Sequence, residues 1–256
     1  MPSSFTSGCN VLIQGSSRGI GLEFVRQLLR DATPGHVFAA CRTPQAASSL
    51  VELAAQDPRL RLVELDVTSE TSIHAAAATV AAEVPRLHLV VNCAGLLHDR
   101  AAGIAPEKRL ADVEPDALMA SFAVNAAGPL LVARYFEPLL AHAERAVFAS
   151  ISARVGSIGD NRLGGWYAYR GAKAAQNMFT KTLAIEWARS RRSVVCVALH
   201  PGTTDTELSR PFQANVPPQK LFSVERTVAQ LLAVIDRLTP ADSGRFLAWD
   251  GTGIAW

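Results

Sequence analysis

Tyr169 and Lys173 stand four residues apart in the stretch W-Y-A-Y-R-G-A-K-A-A-Q-N, residues 166–177. In a helix this spacing places the phenol and the ammonium on one face, one turn apart. A free tyrosine has a pKa of about 10 and is a poor acid or base at neutral pH. Because a nearby cation favours the phenolate, we expect Lys173 to lower the pKa of Tyr169 and to prepare it as a general acid or base. A surface helix that carries an unrelated tyrosine and lysine is the alternative for so short a motif.

The chain around this pair alternates short apolar runs with helical stretches. Strands are predicted at residues 10–14, 36–41, 61–65, 87–92, 146–151, 194–199 and 245–249. Helices are predicted at residues 18–29, after Pro44, after a cap at Thr68, at 116–142, around Tyr169 and at 223–238. Because such alternation is typical of βαβ crossovers, the sequence predicts a single α/β domain over residues 1–256, with a doubly wound parallel sheet of the Rossmann type.

Composition narrows the possible partners and the compartment. The net charge of +2 argues against nucleic acid or an anionic membrane as the main partner. The cysteines Cys9, Cys41, Cys93 and Cys196 are scattered without metal-ligand spacing, which indicates buried thiols in a reducing compartment and no metal site. The N-terminal residues lack a signal-peptide pattern, and the sequence predicts no apolar run that approaches the ~18 residues of a membrane span. We therefore expect a soluble cytoplasmic protein.

A glycine-rich turn follows the first predicted strand. It runs from Gly15 to Gly21 and reads G-S-S-R-G-I-G, with the spacing G-x-x-x-G-x-G. Glycines let the backbone turn sharply and approach a pyrophosphate, whose charge is met by the N–H groups that begin the next helix. Directly after a first strand, the turn predicts a dinucleotide site. A tight turn without a ligand is the alternative.

The end of the second predicted strand distinguishes NAD from NADP. An acidic side chain about 20 residues past the glycines would bind the ribose 2′-hydroxyl of NAD. The segment here is Ala40-Cys41-Arg42-Thr43, which has no carboxylate. Arg42 and Arg18 offer two guanidinium groups, which suit the additional 2′-phosphate of NADP. The sequence therefore predicts NADP(H) as the cofactor, with a solvated loop arginine as the alternative for Arg42.

Taken in order, these motifs resemble those of the short-chain dehydrogenase/reductase family, and the resemblance covers essentially the whole chain. The further matches are Asp66-Val67 after the third strand, Asn92-Cys93-Ala94-Gly95 after the fourth, Asn125 in the fourth long helix, and Pro201-Gly202-Thr203-Thr204-Asp205-Thr206 after the sixth. Two positions depart from the family pattern: Gln14 replaces the usual threonine, and Cys93 replaces the second asparagine of N-N-A-G. Residues 152–170 and the C-terminal W-D-G-T-G-I-A-W resemble the branch of C-factor-like proteins and sniffer-type carbonyl reductases.

The resemblance implies a role for each matching residue. Tyr169 would protonate the alkoxide that develops on the substrate, Lys173 would lower its pKa and reach the nicotinamide ribose, and Asn125 would hold a water of the proton relay. The residues implied to bind the cofactor are Gly15, Ser17, Arg18, Gly19, Ile20, Gly21, Arg42, Asp66, Val67, Asn92, Ala94, Gly95, Tyr169, Lys173, Pro201, Gly202, Thr204 and Thr206. Packing at a helix kink is the alternative role for Asn125.

A serine that bonds the substrate carbonyl beside the tyrosine is expected in this family, in the pattern S-S-x-x-G. Aligned on Gly156, the chain has Ser152 followed by Ala153 in the working position. Because successive strand side chains face opposite ways, Ser152 can replace Ala153 only if the strand end bulges or twists. We predict such a bulge and assign the catalytic role to Ser152, with Ser157, or no serine at all, as the alternatives.

Together these features predict an NADPH-dependent reductase that transfers hydride to an aldehyde or ketone, or the reverse oxidation of an alcohol. An NADP-binding signalling protein of the C-factor type with little turnover is the alternative, and an isomerase or epimerase on the same scaffold is a third. The segment 207–222 corresponds to the family's substrate lid. Its apolar residues, such as Phe212, and Trp166 across the site would line a pocket for hydrophobic aldehydes or ketones, with docking of the loop onto the core as the alternative. His98 and His200 are interpreted as ordinary loop and strand-end residues. Relatives form dimers and tetramers, so a homo-oligomer is an open alternative to a monomer.

Overall fold

The computed structural model describes residues 4–190 and 193–256; residues 1–3 and 191–192 of the predicted domain lie outside them. Its strands are β1 (Cys9–Gln14), β2 (Pro34–Cys41), β3 (Leu60–Glu64), β4 (Leu89–Asn92), β5 (Ala146–Ile151), β6 (Val194–His200), β7 (Thr203–Thr204), β8 (Leu221–Phe222) and β9 (Arg245–Ala248). Seven of them form one parallel sheet in the order β3-β2-β1-β4-β5-β6-β9, while β7 and β8 pair separately. This is the single doubly wound Rossmann-type domain that the sequence predicts.

Helices cover both faces of the sheet. They are α1 (Gly19–Arg30), α2 (Ser48–Gln56), α3 (Glu70–Glu83), α4 (Pro115–Phe122), α5 (Gly128–Leu140), α6 (Tyr167–Arg189) and α7 (Val224–Arg237). Side chains of α1, α2 and α7 pack with Val11 and Ile13 in one core, whereas side chains of α3, α5 and α6 pack with Leu12 in the other. Because neighbouring residues of a strand face opposite sides, a sheet covered on both faces needs a continuous apolar run, which is what β1 has.

Two helix predictions differ from the structure. The N-cap of α3 is Ser69, whose hydroxyl accepts a hydrogen bond from the Ser72 N–H at 3.2 Å, so the predicted cap at Thr68 was wrong. The Thr68 hydroxyl instead bonds the Asp66 carboxylate at 2.7 Å. The helix predicted over residues 116–142 is divided between α4 and α5 by a π-helical turn at Ala123–Ala127. Such turns are frequent at functional sites.

By length and composition, the segment Pro115–Leu140 could cross a membrane. The sequence prediction that no apolar run approaches that length was therefore wrong. In this fold α5 lies on the sheet, and its residues Val132, Phe136 and Leu140 are buried in the core formed with α3 and α6. The core of the domain therefore accounts for the apolar residues on the buried side of α5.

Candidate active site

The strand order reverses between β1 and β4, and the loops that follow these strands lie at the carboxyl edge of the sheet. In open α/β sheets, ligands bind in the crevice at this switch point. Gly15 follows β1 with φ of 82°, and a Cβ atom on it would stand 2.4 Å from the backbone nitrogen of Ala94. Only glycine permits this approach of the two loops, because any side chain would collide with that backbone.

The N-terminus of α1 opens into the same region. Its N-cap is Arg18, no side-chain hydrogen bond caps the helix, and its first turn contains no acidic residue. The free N–H groups and the positive end of the helix dipole there suit an anion. Gly19 has φ of 55°, and a Cβ on it would lie 3.4 Å from the Thr206 methyl group, so the glycine turn and the loop after β6 are neighbours.

The two arginines predicted for the 2′-phosphate are both exposed. Arg42 stands directly after β2. Arg18 makes an ion pair with Glu207, with 3.4 Å between Nη1 and Oε2, and 72% of its side chain is exposed. Both guanidinium groups therefore lie at the surface, and that of Arg18 is already paired with a carboxylate.

The other predicted cofactor residues occupy the same edge of the sheet. Ser17, Ile20 and Gly21 lie in the turn and the start of α1, Asp66 and Val67 follow β3, Asn92 and Gly95 end β4 and its loop, and Pro201 and Gly202 follow β6. The buried Asn92 Oδ1 has no hydrogen-bond partner within the described residues. The Thr204 hydroxyl is buried and bonds Thr227 at 2.9 Å, so this side chain is already engaged.

Tyr169 and Lys173 lie in the first turns of α6 and are 9% and 2% exposed. The Lys173 Nζ is 5.8 Å from the centre of the Tyr169 ring. Within residues 4–190 and 193–256, no hydrogen bond joins the Tyr169 hydroxyl to another residue, whereas Nζ donates to the Ile151 carbonyl at 2.8 Å and to Gln176 Oε1 at 3.0 Å. The lysine is therefore held, while the tyrosine hydroxyl is free to meet a ligand.

The electrostatics of this pair differ from the prediction. Burial raises the pKa of Tyr169 above its usual value, and burial lowers the pKa of Lys173 to about 7. The expectation that Lys173 lowers the pKa of Tyr169 was therefore wrong for the protein by itself. The physical reason is that both groups lie in a low-dielectric interior, which disfavours the phenolate and the ammonium alike.

The predicted bulge at the end of β5 was also wrong. Strands β5 and β6 pair in unbroken register up to Ile151 and Leu199, and the Ser152 N–H continues the ladder to the Leu199 carbonyl at 2.8 Å. Regular pairing turns the Ser152 side chain towards α6, where its hydroxyl donates to Asn177 Oδ1 at 2.6 Å. The Ser157 hydroxyl accepts from the Asp160 N–H at 3.1 Å. Neither serine hydrogen-bonds Tyr169.

Asn125 lies in the π-helical turn and is fully buried. Its Oδ1 accepts from the Leu96 N–H at 3.0 Å, and its Nδ2 donates to the Leu96 carbonyl at 2.7 Å and to the Ser121 hydroxyl at 3.1 Å. The amide thus ties the irregular helix to the loop after β4. These contacts fit the role at a helix kink, and both of its N–H donors are in use.

An aromatic cluster of Trp166, Phe212 and His98 lies beside Tyr169, and of these the sequence prediction did not include His98. The Trp166 ring lies 6.3 Å from that of Tyr169 and 4.9 Å from that of Phe212, which in turn lies 5.9 Å from His98. His98 Nε2 is 3.2 Å from the Leu208 carbonyl, so segment 207–222 is attached on this side as well. Trp166 has φ of 53°, a left-handed conformation unusual for a bulky residue, and the two glycines before it in the sequence were the available signal.

The sequence prediction did not include the buried residue Glu107. Its Oε2 accepts from the Ala168 N–H at 3.3 Å, and its carbonyl accepts from the Trp166 N–H at 2.6 Å. Glu107 therefore satisfies backbone donors at the start of α6, one turn from Tyr169. No sequence signal identifies it, because the contact spans about 60 residues of loop and helix.

Comparisons with known proteins agree with this architecture. A family model described as short chain dehydrogenase matches residues 9–217. An uncharacterized oxidoreductase of Schizosaccharomyces pombe is 32% identical over 252 residues, which is 94% of this chain and 95% of that protein. C-signal of Myxococcus xanthus is 35% identical over 147 residues, covering 57% of this chain and 83% of that protein.

Two solved structures show the same fold over nearly the full length. The NADPH-bound carbonyl reductase from chicken fatty liver superimposes with a TM-score of 0.88 at 33% identity, covering 99% of this chain and 96% of that one. The carbonyl reductase Sniffer of Drosophila melanogaster has a TM-score of 0.85 at 27% identity, covering 98% and 100%. The chain therefore belongs to the short-chain dehydrogenase family, in the branch of C-factor-like and sniffer-type proteins.

Proposed function

We propose that this protein is an NADPH-dependent reductase of aldehydes or ketones, able to run the reverse oxidation of an alcohol. The observation that carries the proposal is the free hydroxyl of Tyr169, placed beside the buried Lys173 at the crevice of an oxidoreductase fold. A proton donor that is not engaged in another hydrogen bond, next to a cofactor crevice, is what carbonyl reduction requires of the protein.

The residues of the crevice fit NADP(H). The uncapped start of α1 would receive the pyrophosphate, and the exposed guanidinium groups of Arg18 and Arg42 would hold the 2′-phosphate. When bound, the cofactor supplies the hydride that is added to the carbonyl carbon. The NADPH bound to the chicken carbonyl reductase, a structure of the same fold, supports this choice of nucleotide.

Tyr169 supplies the proton in this proposal. Because burial raises its pKa, Tyr169 keeps its proton at neutral pH and can donate it to the substrate oxygen as negative charge develops there. The phenolate left behind is stabilised by the Lys173 ammonium one turn away. Asn125 fixes the loop after β4 against the π-helical turn, next to this pair.

The substrate side of the site is aromatic. Trp166 and Phe212 are half-buried and pack against each other beside Tyr169, which suits a small hydrophobic aldehyde or ketone. Segment 207–222 would serve as the lid, since Phe212 and Leu208 connect it to the aromatic cluster. Exposed apolar residues on α4 and α6, among them Met119, Met178 and Ile185, would suit a homo-oligomer. We also propose a cytoplasmic location.

A second candidate is an NADP-binding signalling protein with little turnover. Two observations favour it: the similarity to C-signal, and the lack of a serine hydroxyl bonded to Tyr169 in the described residues. Such a protein would keep nucleotide affinity, because the glycine turn and the arginines are intact.

A panel of aliphatic and aromatic aldehydes and ketones, screened by following NADPH oxidation, tests the proposal. We expect turnover that depends on Tyr169. NADPH binding without turnover of any compound in the panel would support the signalling role instead. Tyr167→Phe serves as the matched control, because this neighbouring tyrosine is exposed and has Gly171, not a lysine, four residues on.

A further inference from the structure

We propose that Gln176 is a positioning residue, whose amide oxygen holds the Lys173 ammonium against the end of β5. The inference rests on the proposed function, in which Lys173 stabilises the phenolate of Tyr169. Gln176 lies three residues after Lys173 on α6, so both side chains share one helix face. Each is 2% exposed, and Oε1 accepts from Nζ at 3.0 Å.

The contact has a clear geometry. The Lys173 ammonium has three N–H donors. One is donated to the Ile151 carbonyl at 2.8 Å and one to Gln176, which leaves a third for the side of Tyr169. Because the Ile151 carbonyl belongs to the backbone, Gln176 is the side chain that determines how this ammonium is oriented.

Gln176 is the side chain that hydrogen-bonds the Lys173 ammonium, and it is neutral. The titratable groups that face the ammonium are Tyr169 on the same helix and Cys93 after β4. Burial raises the pKa of both, so neither carries negative charge at neutral pH. The salt bridges found within residues 4–190 and 193–256 do not include Lys173. The ammonium is therefore stabilised by a neutral amide dipole. A carboxylate in its place would form an ion pair and favour the charged form of Lys173 more strongly.

The NH2 group of the Gln176 amide indicates that the contact with Lys173 is the reason for a polar residue at this position. Its Nε2 is buried and has no hydrogen-bond partner among the described residues. A buried amide with an unsatisfied donor is unfavourable for folding compared with an apolar side chain of similar size. The bond from Lys173 to Oε1 is the described contact that uses the polarity of this side chain.

Lysine 15N NMR tests the inference without relying on turnover. The sequence has only four lysines, Lys108, Lys173, Lys181 and Lys220, so Lys173→Met assigns the Lys173 signal directly. The variants are Gln176→Leu, which removes the acceptor, and Gln176→Glu, which replaces it with a charge. We expect the titration midpoint of Lys173 to fall in the leucine variant and to rise by about 1–3 pH units in the glutamate variant, because an opposite charge favours the ammonium.

The pH profile of kcat/KM provides the functional readout. We expect its alkaline limb to move in the same order, with leucine lowest, the natural glutamine between, and glutamate highest. Thr180→Val is the matched control, because Thr180 is buried on the same helix and donates to the Gln176 carbonyl without contacting Lys173. It should leave both the midpoint and the limb in place.

Two results would overturn the inference. One is a Lys173 titration midpoint that is the same in all three proteins, and the other is a shift of equal direction in the leucine and glutamate variants. Loss of turnover with unchanged midpoints would mean that Gln176 acts only on stability. If instead the midpoints shift as expected while turnover is absent in the natural protein, the positioning role stands and the proposed reductase function fails.

Discussion

Arg18 and Glu207 form an ion pair, with 3.4 Å between Nη1 and Oε2, that connects the glycine turn to segment 207–222. The two side chains are 72% and 62% exposed, so the pair contributes at most about 1 kcal/mol to stability. The pair matters for cofactor binding, because the Arg18 guanidinium that we assign to the 2′-phosphate already contacts the carboxylate of Glu207 in the proposed lid. A phosphate and Glu207 would then compete for Arg18.

Glu207→Gln should therefore increase the affinity for NADPH, by up to about fivefold at low salt, because the competing charge on Arg18 is removed. The gain should shrink as salt screens the pair. Fluorescence titration of NADPH measures it, with Glu83→Gln as the control, since Glu83 pairs with Arg61 at an unrelated surface. Weaker NADPH binding in Glu207→Gln would show that Glu207 assists the cofactor rather than competing with it.

Cofactor choice depends on the two arginines. NADPH should bind more tightly than NADH by about 1.5–3 kcal/mol, the range for hydrogen bonds to a charged group. Arg42→Asp should erase or reverse this preference, because it places a carboxylate where the 2′-phosphate would lie. Equal affinities of the natural protein for NADPH and NADH, measured by the same titration, would contradict the assignment.

The role of Tyr169 predicts a sharp contrast between two adjacent tyrosines. Tyr169→Phe should lower kcat by about 10²–10⁴-fold with NADPH affinity almost unchanged, because only the proton donor is lost. Tyr167→Phe should be mild, since Tyr167 is 44% exposed and has Gly171 rather than a lysine four residues on. Steady-state kinetics on the best substrate of the panel decide between them, and most of the activity surviving in Tyr169→Phe would exclude the general-acid role.

Ser152 should matter for stability more than for turnover. Ser152→Ala leaves the buried Asn177 Oδ1 without its donor, which should lower the free energy of unfolding by about 1–3 kcal/mol. We expect kcat to change less than the ~10²–10³-fold that follows the loss of an oxyanion donor. Ser157→Ala should likewise be mild in kcat. If Ser152→Ala loses turnover in that range with unfolding unchanged, its hydroxyl must leave Asn177 during the reaction.

Lys173 makes stability depend on pH. Its pKa is about 7 in the folded protein and about 10.5 in the unfolded chain, so between these values the unfolded chain binds a proton that the folded protein does not. The free energy of unfolding should therefore rise with pH across this range, by up to about 1.4 kcal/mol per pH unit. Urea unfolding between about pH 7.5 and about pH 9.5 measures the slope, which Lys173→Met should lack. Equal slopes in both proteins would mean that Lys173 stays charged in the fold.

The sequence by itself determined the fold and the order of the site's loops. The apolar residues of β1 belong to two cores, one on each face of the sheet. A sheet covered by helices on both faces requires such a strand. The glycine turn could be predicted from the sequence, because Gly15 allows a backbone approach that no other residue permits. The juxtaposition of Tyr169 and Lys173 could be predicted as well, because helical spacing alone puts them on one face. These are local rules, and local rules can be applied without coordinates.

Only the tertiary structure decided how those residues behave. Ser152 faces Asn177 because β5 keeps its register with β6, a pairing between segments about 50 residues apart. The pKa values of Tyr169 and Lys173 move in the direction set by burial, which depends on everything packed around them. The contact of Arg18 with Glu207 joins residues far apart in the chain. Register, burial and long-range contact are properties of the assembled fold, and no spacing in the sequence encodes them.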